Sequence, residues 1–138
     1  MEKNISNERA IENLMVAYAY ANDDADISAL GKLFKDAIFY IDELSAKGSQ
    51  EIEAVAAGMI QKLDNGRSAT THEITNIMID IAQDSLSANA SAYWTLYKTI
   101  PGLAREAVMS GRYEDKFIFD GEWHFTQRKA TVLWKLEN

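Results

Sequence analysis

Thr70-Thr71-His72-Glu73-Ile74-Thr75-Asn76-Ile77-Met78-Ile79-Asp80-Ile81 is where the chain changes its hydrophobic period. Upstream, apolar residues recur every three or four positions. From here they recur every two, with Ile77, Ile79 and Ile81 alternating with Asn76, Met78 and Asp80. Strict alternation marks a half-buried strand. It resumes after Gln83-Asp84-Ser85, where Leu86, Ala88, Ala90, Ala92, Trp94 and Leu96 alternate with mostly polar partners, and breaks at Ile100-Pro101-Gly102. A third β run covers about Glu106 to Phe119, and the last runs from Glu122 to about Leu136. Between them Asp120-Gly121 matches a two-residue type I′ hairpin turn.

Working back from Thr70, three helices are expected. The first spans about Ser6 to Asn22, with Ile11, Leu14, Met15, Tyr18 and Ala21 or Asn22 on one face and Ser6 or Asn7 as cap. Asn22-Asp23-Asp24-Ala25-Asp26 ends it, because short polar side chains compete for backbone hydrogen bonds. Asp26 then caps a short helix from Ile27 to Phe34, and Ala37–Asp42 reads as a strand. Gly48-Ser49 opens the third helix, whose face is Ile52, Val55, Ala56, Met59, Ile60 and Leu63, with Asn65-Gly66 as its stop. Helices first and long antiparallel strands after define an α+β class. Three helices cannot cover both faces of so long a sheet. The expectation is therefore a strongly curved, mainly antiparallel sheet wrapping three N-terminal helices and enclosing a pocket, with residues 1–138 as a single domain.

The bulk composition excludes several functions. Fourteen basic against 21 acidic residues give a net charge of −7, which repels phosphate backbones and anionic lipid, so neither nucleic acid nor membrane is an expected partner. No cysteine is present, which removes thiol nucleophiles and thiolate metal sites. With two histidines and no cysteine, no metal site is expected. The first residues lack the basic flank and apolar core of a signal peptide, and no apolar run approaches the roughly 20 residues of a membrane span. A cytoplasmic location is the default reading. No phosphate loop or nucleophile elbow is present.

Among the remaining candidates, His72 stands out as a side chain that exchanges a proton near neutrality, placed at the head of a strand. On residue chemistry alone it is either a pocket base or a strand histidine bonded to backbone. Asn76 can anchor a polar group of a ligand or pair within the sheet. Tyr18 lies on the buried face of the first helix, as core or as a hydroxyl for a ligand. Arg128 offers a planar fork of donors, either to a substrate oxygen or to a sheet acid such as Asp115. Simple alternation sets Arg128 opposite Trp123 and Phe125, so it reaches the interior only through a bulge or a changed register.

Four segments, taken in order, carry a family resemblance. They are Tyr18-Ala19-Tyr20-Ala21-Asn22-Asp23-Asp24-Ala25-Asp26, Thr71-His72-Glu73-Ile74-Thr75-Asn76, Gly111-Arg112-Tyr113-Glu114-Asp115-Lys116-Phe117 and Asp120-Gly121-Glu122-Trp123-His124-Phe125-Thr126-Gln127-Arg128. The set resembles SnoaL-like proteins of the NTF2-like, cystatin-like α+β superfamily, and most of all the branch holding scytalone dehydratase, bile-acid 7α-dehydratase and hexachlorocyclohexane dehydrochlorinase. The resemblance implies a cone-shaped fold with a cofactor-free pocket. It also implies a catalytic pair, Asp23 with His72, and an assisting Arg128, while Tyr18 matches a helix-one tyrosine of the bile-acid enzyme. The implied chemistry is dehydration, related elimination or isomerisation of a small apolar or polycyclic molecule. A homo-oligomer, dimer or trimer, through the sheet is implied as well. The chain departs from the branch at mid-sheet, where Trp94, Thr95 and Leu96 replace a second catalytic histidine, and His124 stands where many relatives have arginine. That departure keeps a second function open: a non-catalytic small-molecule-binding or assembly module.

Overall fold

The computed structural model describes residues 4–137. Helix α1 spans Asn7–Asp23 and α2 Ile27–Leu33, followed by strands β1 (Ile38–Ile41) and β2 (Leu44–Lys47) and by α3 (Gly48–Met59). Four long strands complete the chain: β3 (Thr70–Ile81), β4 (Ser87–Lys98), β5 (Glu106–Phe119) and β6 (Trp123–Lys135). Ser6 caps α1 through Arg9 N–H, and Asp26 caps α2 through Ala29 N–H, each satisfying a donor that the first helical turn leaves free.

The six strands form one sheet in the order β2-β1-β6-β5-β4-β3. All neighbours are antiparallel except β1, which runs parallel to β6. This corrects the expected cone. The sheet is mixed and open, with β2 and β3 as two edges that do not meet, and it is neither closed nor strongly curved. The difference lies in the second face of the sheet. Arg112, Glu114, Lys116 and Lys129 point away from the helices and are exposed, and an antiparallel sheet tolerates one solvated face. The helices need to cover only the other. There Ala88, Ala90, Ala92, Gly111 and Ala130 are buried, and side chains this small let the helical layer approach closely.

Three local features also differ from expectation. Strand β2 gives no compositional signal, because Leu44-Ser45-Ala46-Lys47 contains no β-branched or aromatic residue; it is held by pairing with β1 across a turn at Asp42, whose φ is 49°. Helix α3 ends at Met59 rather than at Gly66, and Ile60 is already extended. The hairpin between β5 and β6 has three loop residues, since Phe119 pairs with Trp123. Only Gly121 among them is left-handed, at φ 108°, so the turn is not type I′, which needs positive φ at two positions.

Candidate active site

The site forms where the end of α1 meets the start of β3. Asp23 is the last residue of α1 and only 6% exposed. Its main-chain oxygen accepts from Ser68 N–H at 2.9 Å, which ties the helix end to the approach of β3. Its carboxylate then receives two groups of one residue. His72 N–H lies 3.0 and 3.1 Å from the two oxygens, and His72 Nδ1 lies 2.8 Å from Oδ1. Both side chains are 9% exposed. Such a carboxylate orients the imidazole and favours the tautomer with its proton on Nδ1. Nε2 is the nitrogen left for chemistry.

A β-bulge decides which way His72 faces. If alternation held along the whole of β3, Ile77, Ile79 and Ile81 would lie on the face opposite His72. The pairing with β4 shifts between Thr75 and Met78, and Asn76 sits there at φ 55°, a left-handed conformation that asparagine tolerates better than most residues. The shift brings Thr70, His72 and Ile74 onto the same face as the three isoleucines. Asn76 itself is exposed and does not line the pocket.

The same device acts on β6. Lys116 pairs with Gln127 but Phe117 pairs with Phe125, leaving Thr126 as the extra residue. Trp123, Phe125, Arg128 and Ala130 thus all face inward and are buried. Arg128 is 0% exposed and stays outside the pocket lining. Its Nε and Nη2 donate to Asp115 at 2.8 and 2.9 Å. Its guanidinium carbon lies 3.8 Å from the Tyr113 ring centroid and 5.2 Å from that of Tyr18. Burial disfavours its charge, but Asp115 outweighs that and raises the pKa further above the usual range. Of the expected site residues, the fold thus brings Asp23, His72 and Tyr18 together, sets Arg128 one ring behind them, and leaves Asn76 outside.

Between the helices, the β1–β2 hairpin, the start of β3 and the end of β4 lies a cavity of about 240 Å³. Its polar side is Tyr18, Asn22, Thr70 and His72; apart from the exposed Ser45 the remainder is apolar, with Phe39, Ile52, Ile60 and Leu96 inside and the exposed Leu44, Val55 and Met59 at the rim. No Lys, Arg, Asp or Glu lines it. The Tyr18 ring meets His72 edge-on, with centroids 5.5 Å apart. Burial pushes the Tyr18 hydroxyl up to about 12, so it stays a neutral phenol that can donate. Asn22 Nδ2 lies 3.4 Å from that hydroxyl. The helical spacing set Ala21 or Asn22 on the face of Tyr18 but pointed to no site role for Asn22, whose place four residues after Tyr18 brings the two side chains together.

A helical layer over one face of an open sheet, with a polar-ended cavity between, is a cystatin-like α+β fold. The chain belongs to the SnoaL-like domain family, whose model matches residues 3–129, as the ordered motifs implied. Among solved structures, it is similar to a cystatin-like-fold protein of unknown function from Nostoc punctiforme (20% identity, 96% of this chain and 95% of that one, TM-score 0.78). It is similar to a putative scytalone dehydratase from Novosphingobium aromaticivorans (24% identity, 95% and 87%, TM-score 0.73). A type 2 hexachlorocyclohexane dehydrochlorinase, LinA, matches at 16% identity over 95% of this chain and 89% of that one, TM-score 0.75. Identities this low carry the fold alone. No functionally curated protein matches the chain. Among the described residues, no helix is long and apolar enough to cross a membrane.

Proposed function

We propose that the pocket belongs to a cofactor-free lyase or isomerase in which His72 removes a proton from a carbon acid and Asp23 holds the imidazole in place. The observation that carries this is the buried Asp23–His72 pair, bonded at 2.8 Å with both side chains nearly sealed from solvent. His72 Nε2 takes the proton next to a carbonyl. The C–H electron pair becomes the enolate double bond, and the oxygen that gains charge accepts a hydrogen bond from Tyr18. In an elimination the pair returns and expels a leaving group from the neighbouring carbon; in an isomerisation it is reprotonated elsewhere. Asp23 stabilises the imidazolium formed in either route, and general-base help of this type contributes about 10²–10⁴ in rate.

Tyr18 is the substrate-binding hydroxyl. Arg128 supports the site through the Tyr18 and Tyr113 rings as a positioning residue, and Asn76 supports it by holding the bulge that aims His72. The names of the structural relatives, a putative dehydratase and a dehydrochlorinase, favour elimination over isomerisation. The substrate is a small apolar molecule or a polycyclic one. The outer sheet face, with Tyr93, Leu133 and Trp134 exposed, is the surface proposed for a homo-oligomer.

A second reading has one observation behind it. Leu96 is the residue paired with His72 across the strands, so the position beside the base is apolar and holds no second proton carrier. A pocket that only binds would look the same. Deuterium exchange into 2-tetralone, followed by NMR, separates the two. The lyase or isomerase reading expects exchange above the buffer rate, falling about 10²–10⁴-fold in His72→Gln. Exchange equal in the two proteins contradicts it and leaves the binding module.

A further inference from the structure

We infer that Asn22 is a positioning residue that commits the Tyr18 hydroxyl to donate its proton into the pocket, and that the site thereby selects uncharged ligands presenting an accepting oxygen. This rests on the pocket being a ligand site, though not on its being catalytic.

Asn22 and Tyr18 both line the cavity, one helical turn apart on α1. Asn22 Nδ2 donates to Tyr18 Oη at 3.4 Å. A phenol has a single proton and two acceptor lone pairs. With Asn22 on the acceptor side, the proton is the capacity left over. Among the described residues, no other side chain forms a hydrogen bond with that hydroxyl. Aromatic edges surround its ring: Phe34 at 5.9 Å, His72 at 5.5 Å and Tyr113 at 6.0 Å between centroids. An unspent donor beside an apolar cavity is satisfied by a ligand's oxygen.

Charge narrows the ligand further. A carboxylate or phosphate entering this cavity would lose its water and meet no Lys or Arg in the lining, and His72, which does line it, already has Asp23 as its carboxylate partner. Arg128, the nearest buried cation to Tyr18, is wholly buried and engaged with Asp115. A cationic ligand would meet no carboxylate in the lining either, because Asp23 sits behind His72. The fitting class is a neutral ketone, aldehyde or ester on an apolar frame.

The test compares three probes by calorimetry: 2-tetralone, the hydrocarbon tetralin, and tetralin-2-carboxylate. Wild type is expected to bind the ketone about tenfold more tightly than the hydrocarbon, the factor that one net hydrogen bond supplies, and the carboxylate more weakly than either. In Asn22→Leu the ketone preference should fall to within about twofold of unity while tetralin binds no more weakly than before; Tyr18→Phe should abolish the preference. Equal weakening of ketone and hydrocarbon in Asn22→Leu would mean that Asn22 only packs, and would overturn the inference. So would a wild-type ratio near one, or carboxylate binding as tight as ketone binding. Ketone preference without deuterium exchange removes the catalytic reading and leaves this inference standing. Exchange without ketone preference does the reverse.

Discussion

Removing Asp115 should be among the most damaging single changes available to this fold. Asp115 and Arg128 face each other directly across β5 and β6, joined by hydrogen bonds of 2.8 and 2.9 Å, and both side chains are 0% exposed. The third guanidinium nitrogen, Nη1, is buried and has no hydrogen-bond partner among the described residues. Asp115→Ala would leave Arg128 fully charged with none of its nitrogens paired by protein. Breaking a buried pair from one side costs about 3–5 kcal/mol, a large share of the roughly 5–15 kcal/mol that holds a domain folded. At a urea slope of about 2 kcal/mol/M, the unfolding midpoint should drop by about 2 M, read by tryptophan fluorescence. The double change Asp115→Leu with Arg128→Met removes both charges at similar volume and should recover most of the loss. A single-variant loss below about 1 kcal/mol, at an unchanged slope, would refute the claim that the pair is sealed from water.

Three further outcomes follow from the same geometry. Asn76→Gly should leave stability within about 0.5 kcal/mol of wild type, whereas Asn76→Val should cost about 1–3 kcal/mol because a β-branched residue resists positive φ; thermal unfolding compares them. Tyr18 in the folded state ionises at about 12 against an ordinary value of 10.0, so between these pH values the folded protein holds the extra proton and stability falls as pH rises. Tyr18→Phe should flatten that alkaline fall by up to about 2–3 kcal/mol, and an unchanged slope in pH-dependent urea unfolding would count against burial of the hydroxyl. In Gly111→Ala the new methyl would meet the Thr131 carbonyl oxygen and the Trp94 ring, an overpacking expected to cost about 1–3 kcal/mol in the same assay.

Much of the fold could be read from the chain because local signals agreed with it. The polar run Asn22–Asp26 does end α1, Asp26 does cap α2, and the period change at Thr70 does begin β3. What escaped was parity. Two bulges reverse the facing of β3 and β6, and only the first has a mark in the sequence, an asparagine able to take a left-handed turn; Thr126 carries none. Of the two partners the sequence left open for Arg128, it meets Asp115 rather than the pocket, and it reaches the interior through a bulge, as the alternative to simple alternation allowed. The error about curvature was avoidable, since Arg112, Glu114, Lys116 and Lys129 already showed that the second face needs no cover. Strand β2 was invisible because its pairing with β1, not its own composition, makes it a strand.

The Asp23–His72 bond itself can be observed by nitrogen-15 NMR of the histidine ring, which reports which nitrogen carries the proton of the neutral imidazole. With Asp23 as acceptor, His72 should show a protonated Nδ1 and a free Nε2. Asp23→Asn should shift the population toward the Nε2–H tautomer or a mixture of the two, without unfolding the protein. A wild-type His72 already protonated on Nε2, or a tautomer balance unmoved by Asp23→Asn, would contradict a dyad in which Asp23 prepares His72 to act as the base.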